Sequence, residues 1–156
     1  MKVASLVMLA ALLACPLPIE AVNVTTNAGC SSTQSGITST IDFGPSGSPA
    51  ATDPAGHATY STPFFNQGTG VDCAPASYLG LTTGNTTTIT FDQPIDYFGL
   101  AWDSKDSNSV IEFFDGATLL ASFSGADSPI ADTFEANYVN FFAEPGEEFT
   151  SIVLSA

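Results

Sequence analysis

The chain has 156 residues, enough for one domain with its own core, and it is 44% hydrophobic and 11% aromatic, the composition of a folding rather than a disordered sequence. Its charge is lopsided: Asp and Glu number 16 against 2 for Lys and Arg together, giving a formal net charge of -14. Such a surface is repelled by phosphate backbones and anionic lipid head groups, which excludes nucleic acid as a partner and leaves divalent cations and neutral sugars.

The first element is an export signal. Lys2 gives a minimal positive start, residues 3–14 (VASLVMLAALLA) are uncharged and apolar, and PLPIEA ends in a small residue, Ala21, suited to cleavage. The apolar run is too short to span a bilayer comfortably. Residues 1–21 therefore read as a signal peptide and 22–156 as a single mature domain, secreted or at the cell surface, without membrane insertion of its own. A competing reading takes LLAC, 12–15, as a lipoprotein processing box that would lipidate Cys15, although Leu13 fits that box poorly. In an exported chain Cys30 and Cys73 form an even pair and suggest one disulfide, worth about 3–4 kcal/mol, the alternative being two separate buried thiols. No C-x-x-C spacing supports zinc. Asn23-Val24-Thr25 and Asn85-Thr86-Thr87 fit the N-glycosylation pattern, which matters only in a eukaryotic host.

After the leader come short β-branched and aromatic runs separated by Gly, Pro, Asn, Asp and Ser. The expected strands are 37–43, 57–61, 77–81, 86–91, 97–102, 110–114, 118–123, 138–143 and 151–155. That rhythm predicts an all-β fold, an antiparallel β-sandwich of jelly-roll type. In TTTITF, Ile89 and Phe91 face inward and Thr88 and Thr90 outward. Tyr97–Trp102 is apolar on both faces, which predicts a central strand covered on both sides. Asp115-Gly116 predicts a two-residue hairpin turn. Residues 44–56 and 124–137 read as surface loops, with one short helix expected at 130–136.

Few residue patterns carry chemistry. His57 is the single histidine, GPSGS lacks the last Gly of a nucleophile elbow, and the metalloprotease, P-loop and dinucleotide motifs are missing from the sequence. A carboxylate pair flanking a glycosidic bond would make the chain a glycoside hydrolase, but sixteen acidic residues form pairs by chance. Calcium wants six to eight oxygen ligands. Asp103, Asp106 and Asn108 cluster on one expected turn, and Asp127, Asp132 and Glu135 on another; neither has EF-hand spacing, and both also suit ordinary solvated turns. Tyr97 and Trp102 are candidates for stacking on a sugar ring. Trp102, however, shares its spacing with Phe98 and Leu100, which favours the core.

The run TITFDQPIDYFGLAWDSKDSNSVIEFFDGATLLASFSG, 88–125, resembles the exosortase-dependent (PEP-CTERM) bacterial secreted surface proteins. AGCSSTQSGITSTIDFG, GHATYS, YVNFFA and FTSIVLSA are similar to the family's opening and closing segments, so the resemblance covers most of the mature chain. It implies an extracellular protein, most such members being without assigned activity. Two features depart from the pattern. Asp103 stands where the family usually has Gly, and the further strand, Pro-Glu-Pro motif, apolar helix and basic residues of the family do not precede Ala156. EPGEE, 144–148, is followed by no apolar span, so the expectation is a domain that lacks a final strand or is released rather than anchored. The composite expectation is a non-enzymatic secreted cell-surface or extracellular-matrix protein, with extracellular polysaccharide, matrix components or divalent cations as partners. The alternative is a calcium-assisted, lectin-like carbohydrate-binding module.

Overall fold

A computed structural model of the chain describes residues 21–29, 31–37, 52–53, 55–61, 65–67, 78–102, 106–131 and 137–156. Among these residues the alternating runs become ten strands and no helix: β1 (Val22–Ala28), β2 (Ala58–Tyr60), β3 (Phe65–Gln67), β4 (Tyr78–Gly80), β5 (Thr86–Ile95), β6 (Tyr97–Trp102), β7 (Val110–Asp115), β8 (Thr118–Ser124), β9 (Asn137–Ala143) and β10 (Phe149–Ser155). The pairing is antiparallel throughout. One sheet has the order β2-β5-β10-β7-β8, a second β1-β9-β6, and β3 and β4 form a separate ribbon.

The two larger sheets pack face to face because each carries one apolar face. Ile89, Ile111, Phe113, Phe149 and Ile152 of the five-stranded sheet meet Val22, Val139 and Phe141 of the three-stranded one, all at 2% exposure or less. Phe113 is the hub. Its ring lies 4.7 Å from Phe141 across the sandwich and 4.6 Å from Phe149 on its own side, with Phe98 and Phe123 both at 6.2 Å. The tilted and edge-on geometries are those that aromatic quadrupoles favour.

Chain path follows local chemistry. Thr87 and Ile89 are buried on one side of β5 while Thr86 and Thr90 face solvent, the period of a half-buried strand. The ladder from β10 to β5 then slips, Ser151 opposing Thr90 but Phe149 opposing Ile95. Pro94 falls within the slip, where no donor to β10 is needed. At Asp96 the chain turns from one sheet into the other, and the Asp96 carbonyl accepts from the Ala143 amide at 2.9 Å.

Several expectations are corrected. Among the described residues β6 is an edge strand, not a central one, and none of its residues is fully buried. Its outer positions, Tyr97, Gly99 and Ala101, are apolar by count, but Gly and Ala bring almost no surface that needs covering. β1 was not among the expected strands, although VNVTTNA alternates Val22 and Val24 inward with Asn23, Thr25 and Asn27 outward; Asn23 and Asn27, poor strand formers, hid the period. Asp115 pairs with Thr118, so the hairpin loop is Gly116-Ala117, one residue later than expected, with Gly116 at φ 56°. Positive φ at the first loop position is what a primed turn requires and what Gly supplies without strain. No helix forms at residues 130 and 131; they lie in a turn closed by Ala131 N–H on the Asp127 carbonyl at 2.8 Å, and residues 132–136 lie outside the described set. The supposed surface loop after β8 instead sends Ile130 into the core at 0% exposure. Of the expected strand 37–43 only Ile37 is described, and it is exposed and outside any strand.

Replacing the hub ring should show how much the sandwich depends on it. Phe113→Ala is expected to cost about 3–5 kcal/mol, read as a lowered midpoint in urea unfolding.

Candidate functional site

The most organised polar cluster lies on the outer face of the three-stranded sheet. Alternation along β9 turns Val139 and Phe141 into the core, so Asn140 points away from it. Asn140 is nevertheless only 1% exposed. Its amide donates to Asn27 Oδ1 at 3.0 Å and to the Thr25 carbonyl at 3.4 Å, both on β1. Its Oδ1 accepts from the Tyr97 hydroxyl at 2.9 Å, on β6, and from Ser32 Oγ at 3.3 Å. Ser32 Oγ and the Tyr97 hydroxyl are themselves 2.7 Å apart, and Ser32 Oγ accepts from the Gln34 amide at 3.0 Å. One side chain thus ties the three strands and the segment after β1 together.

Gly99 opposes Asn140 across the ladder and makes room for this cluster. A Cβ there would collide with the Tyr138 ring and the Tyr97 hydroxyl. The two phenols meet over the glycine. Burial, the neighbouring Tyr97 phenol and its hydrogen bond together push the Tyr138 phenol above its ordinary range. The Tyr97 ring also packs on Phe142 at 5.2 Å. Asn140, Ser32, Asn27, Tyr138 and Gly99 were not singled out in the sequence; the available signal was a lone Asn between apolar neighbours in YVNFFA and a Gly inside an aromatic run.

Tyr97 and Trp102 do not form one platform. An odd spacing along a strand sends them to opposite faces, and Trp102 packs against the core together with Phe98 and Leu100. That is the orientation its spacing favoured. Tyr97 spends its hydroxyl within the Asn140 cluster.

The expected ion-binding turn is only partly described. Asp106 Oδ1 accepts from the Asn108 amide at 2.9 Å, the Ser109 amide at 2.8 Å and Ser109 Oγ at 3.0 Å. The bonds from the Ser109 and Asn108 amides, then the Ser109 hydroxyl, hold the Asp106 carboxyl below the usual carboxylate range. Its chemistry is that of a turn closing on its own backbone. Asn108 contributes its backbone amide, and Asp103 lies outside the described residues. In the second cluster Asp127 Oδ2 accepts from the Ser124 amide at 2.6 Å, while Asp132 and Glu135 lie outside the described residues. Among the described residues no group of three His, Cys, Asp or Glu could hold a metal ion. The cysteines at 15, 30 and 73, with the leader 1–20, also lie outside the described residues.

His57 immediately precedes β2, and its backbone N–H donates to Asp53 Oδ2 at 3.1 Å. Asp53, 2% exposed, is held within the same turn, its own amide reaching the Ala58 carbonyl at 2.9 Å. At the opposite seam a groove of about 320 Å³ runs between the edge strands β1 and β8, lined by Val22, Asn23, Val24, Phe123, Ser128, Pro129 and Glu144.

No protein-family model, curated protein or solved structure matches the chain.

Two measurements test these assignments. Gly99→Ala should cost about 1–3 kcal/mol, as overpacking does, seen as a lowered urea midpoint. Asp106 has a depressed folded-state pKa, so its contribution is present above the unfolded value, near 3.9, and is lost as pH falls through the lower folded value. Asp106→Ala should therefore lower the melting temperature at pH 6, with the difference from the parent vanishing as pH drops below 4.

Proposed function

We propose that the chain is an exported, non-enzymatic protein of the cell surface or extracellular matrix, an acidic β-sandwich of jelly-roll type whose copies are bridged by divalent cations. The observation that carries the reading is the excess of acidic side chains, a net charge of -14, on a rigid antiparallel sandwich. The polar side chains at the candidate sites are spent on structure: Asp106 and Asp127 close their own turns, and Asn140 and Tyr97 clip the small sheet. The apolar leader and the resemblance to exosortase-dependent surface proteins support the location. The passage of the chain between sheets at β5 to β6, β6 to β7, β8 to β9 and β9 to β10 supports the jelly-roll type.

A self-repelling acidic surface keeps copies apart until multivalent cations neutralise it. Sedimentation velocity is expected to show a monomer in EDTA and reversible larger species in millimolar calcium or magnesium. A strict monomer under all these conditions would sink the matrix reading.

A further inference from the structure

The boundary read from the sequence as a signal-peptidase site coincides with the first residue of β1. Val22 opens β1, opposes Ala143 and is 2% exposed. The Glu144 amide donates to the Ala21 carbonyl at 3.1 Å, and the Ala143 amide turns the other way, to the Asp96 carbonyl of the β5–β6 corner. In an antiparallel ladder, residues that exchange bonds alternate with residues whose N–H and C=O point outward. Ala21 is therefore bonded to Glu144, the residue after β9, while the Val22 nitrogen points to the edge of β1 away from β9, which is unpaired among the described residues. That edge borders the groove that Val22, Asn23 and Val24 share with Phe123, Ser128, Pro129 and Glu144. Among these lining residues Glu144 has the one ionisable side chain.

Cleavage after Ala21 adds water across the Ala21–Val22 peptide bond. The C–N bond breaks, Ala21 leaves with a carboxylate on the leader, and Val22 becomes an α-ammonium. The Glu144 amide thereby loses its acceptor, the Ala21 carbonyl. We infer that signal-peptide removal builds a charge clamp at this seam, in which the new Val22 ammonium is held by the Glu144 carboxylate at the mouth of the β1–β8 groove. Maturation then refastens the strand whose end it has freed. The inference rests on the export reading for the position of the cut.

The test uses the chain beginning at Val22 with its α-amine free or acetylated, each with and without Glu144→Gln. Acetylation removes the charge while its carbonyl replaces that of Ala21. With the free amine, Glu144→Gln should lower the melting midpoint by about 1–4 °C at low salt, the range of an exposed ion pair in a domain of this size, and by less in about 0.5 M NaCl. With the acetylated amine the shift should be less than half as large. Equal shifts in the two forms, or none with the free amine, overturn the clamp. N-terminal sequencing of the exported protein tests the cut separately, and a native start other than Val22 overturns the maturation claim even if the engineered ammonium pairs with Glu144.

Discussion

The contact between Phe113 and Phe141, ring centroids 4.7 Å apart, joins the two halves of this protein. Phe113 sits on β7 and Phe141 on β9, each at 0% exposure, so the pair bridges the sheets within the buried core. Phe149 and Phe98 pack on Phe113, and Phe123 packs on both Phe113 and Phe141, so neighbouring strands are positioned by where these rings stand. An antiparallel sheet with one wet face gains stability from its other face alone, and a domain of this size must concentrate that burial. Ile130 serves the same end from a turn, adding its side chain to the core.

With the inner faces committed to this contact, the outer face of the small sheet is fixed by register. Val139 and Phe141 inward leave Tyr138, Asn140 and Phe142 outward, and their neighbours Asn27, Tyr97 and Gly99 follow from the ladder. A buried amide requires partners for each of its polar atoms. Asn140 finds them on β1, β6 and the 31–37 segment, which gives a three-stranded sheet a cross-brace that hydrophobic packing alone would not specify. The cluster is thus a consequence of the core, seen from the other side of the sheet.

The parts of the fold legible in the sequence were those written in short-range chemistry. The β7–β8 hairpin was announced by Asp115-Gly116 and misplaced by one residue, because the turn needs positive φ at its first loop position and Gly116 supplies it there. The inward set of β5 was legible in the alternation of TTTITF. β1 was harder, since Asn23 and Asn27 are poor strand formers and the strand is held by β9, more than a hundred residues away. The Asn140 cluster was illegible for the same reason, being assembled from residues 27, 32, 97, 138 and 140 by pairing over long separations.

The sequence by itself determined the class: period-two alternation, frequent turn residues and almost no helical spacing leave little but an antiparallel β fold, and the ratio of acids to bases dictates its surface. Only the tertiary structure decided which strand is central, which face of β6 is wet, and what Tyr97 and Trp102 touch. Alternation states that a strand has two faces, but not which neighbours lie beside it. β9, with β1 and β6 on either side, is central because its apolar positions meet Phe113, and that choice made Tyr97–Trp102 an edge.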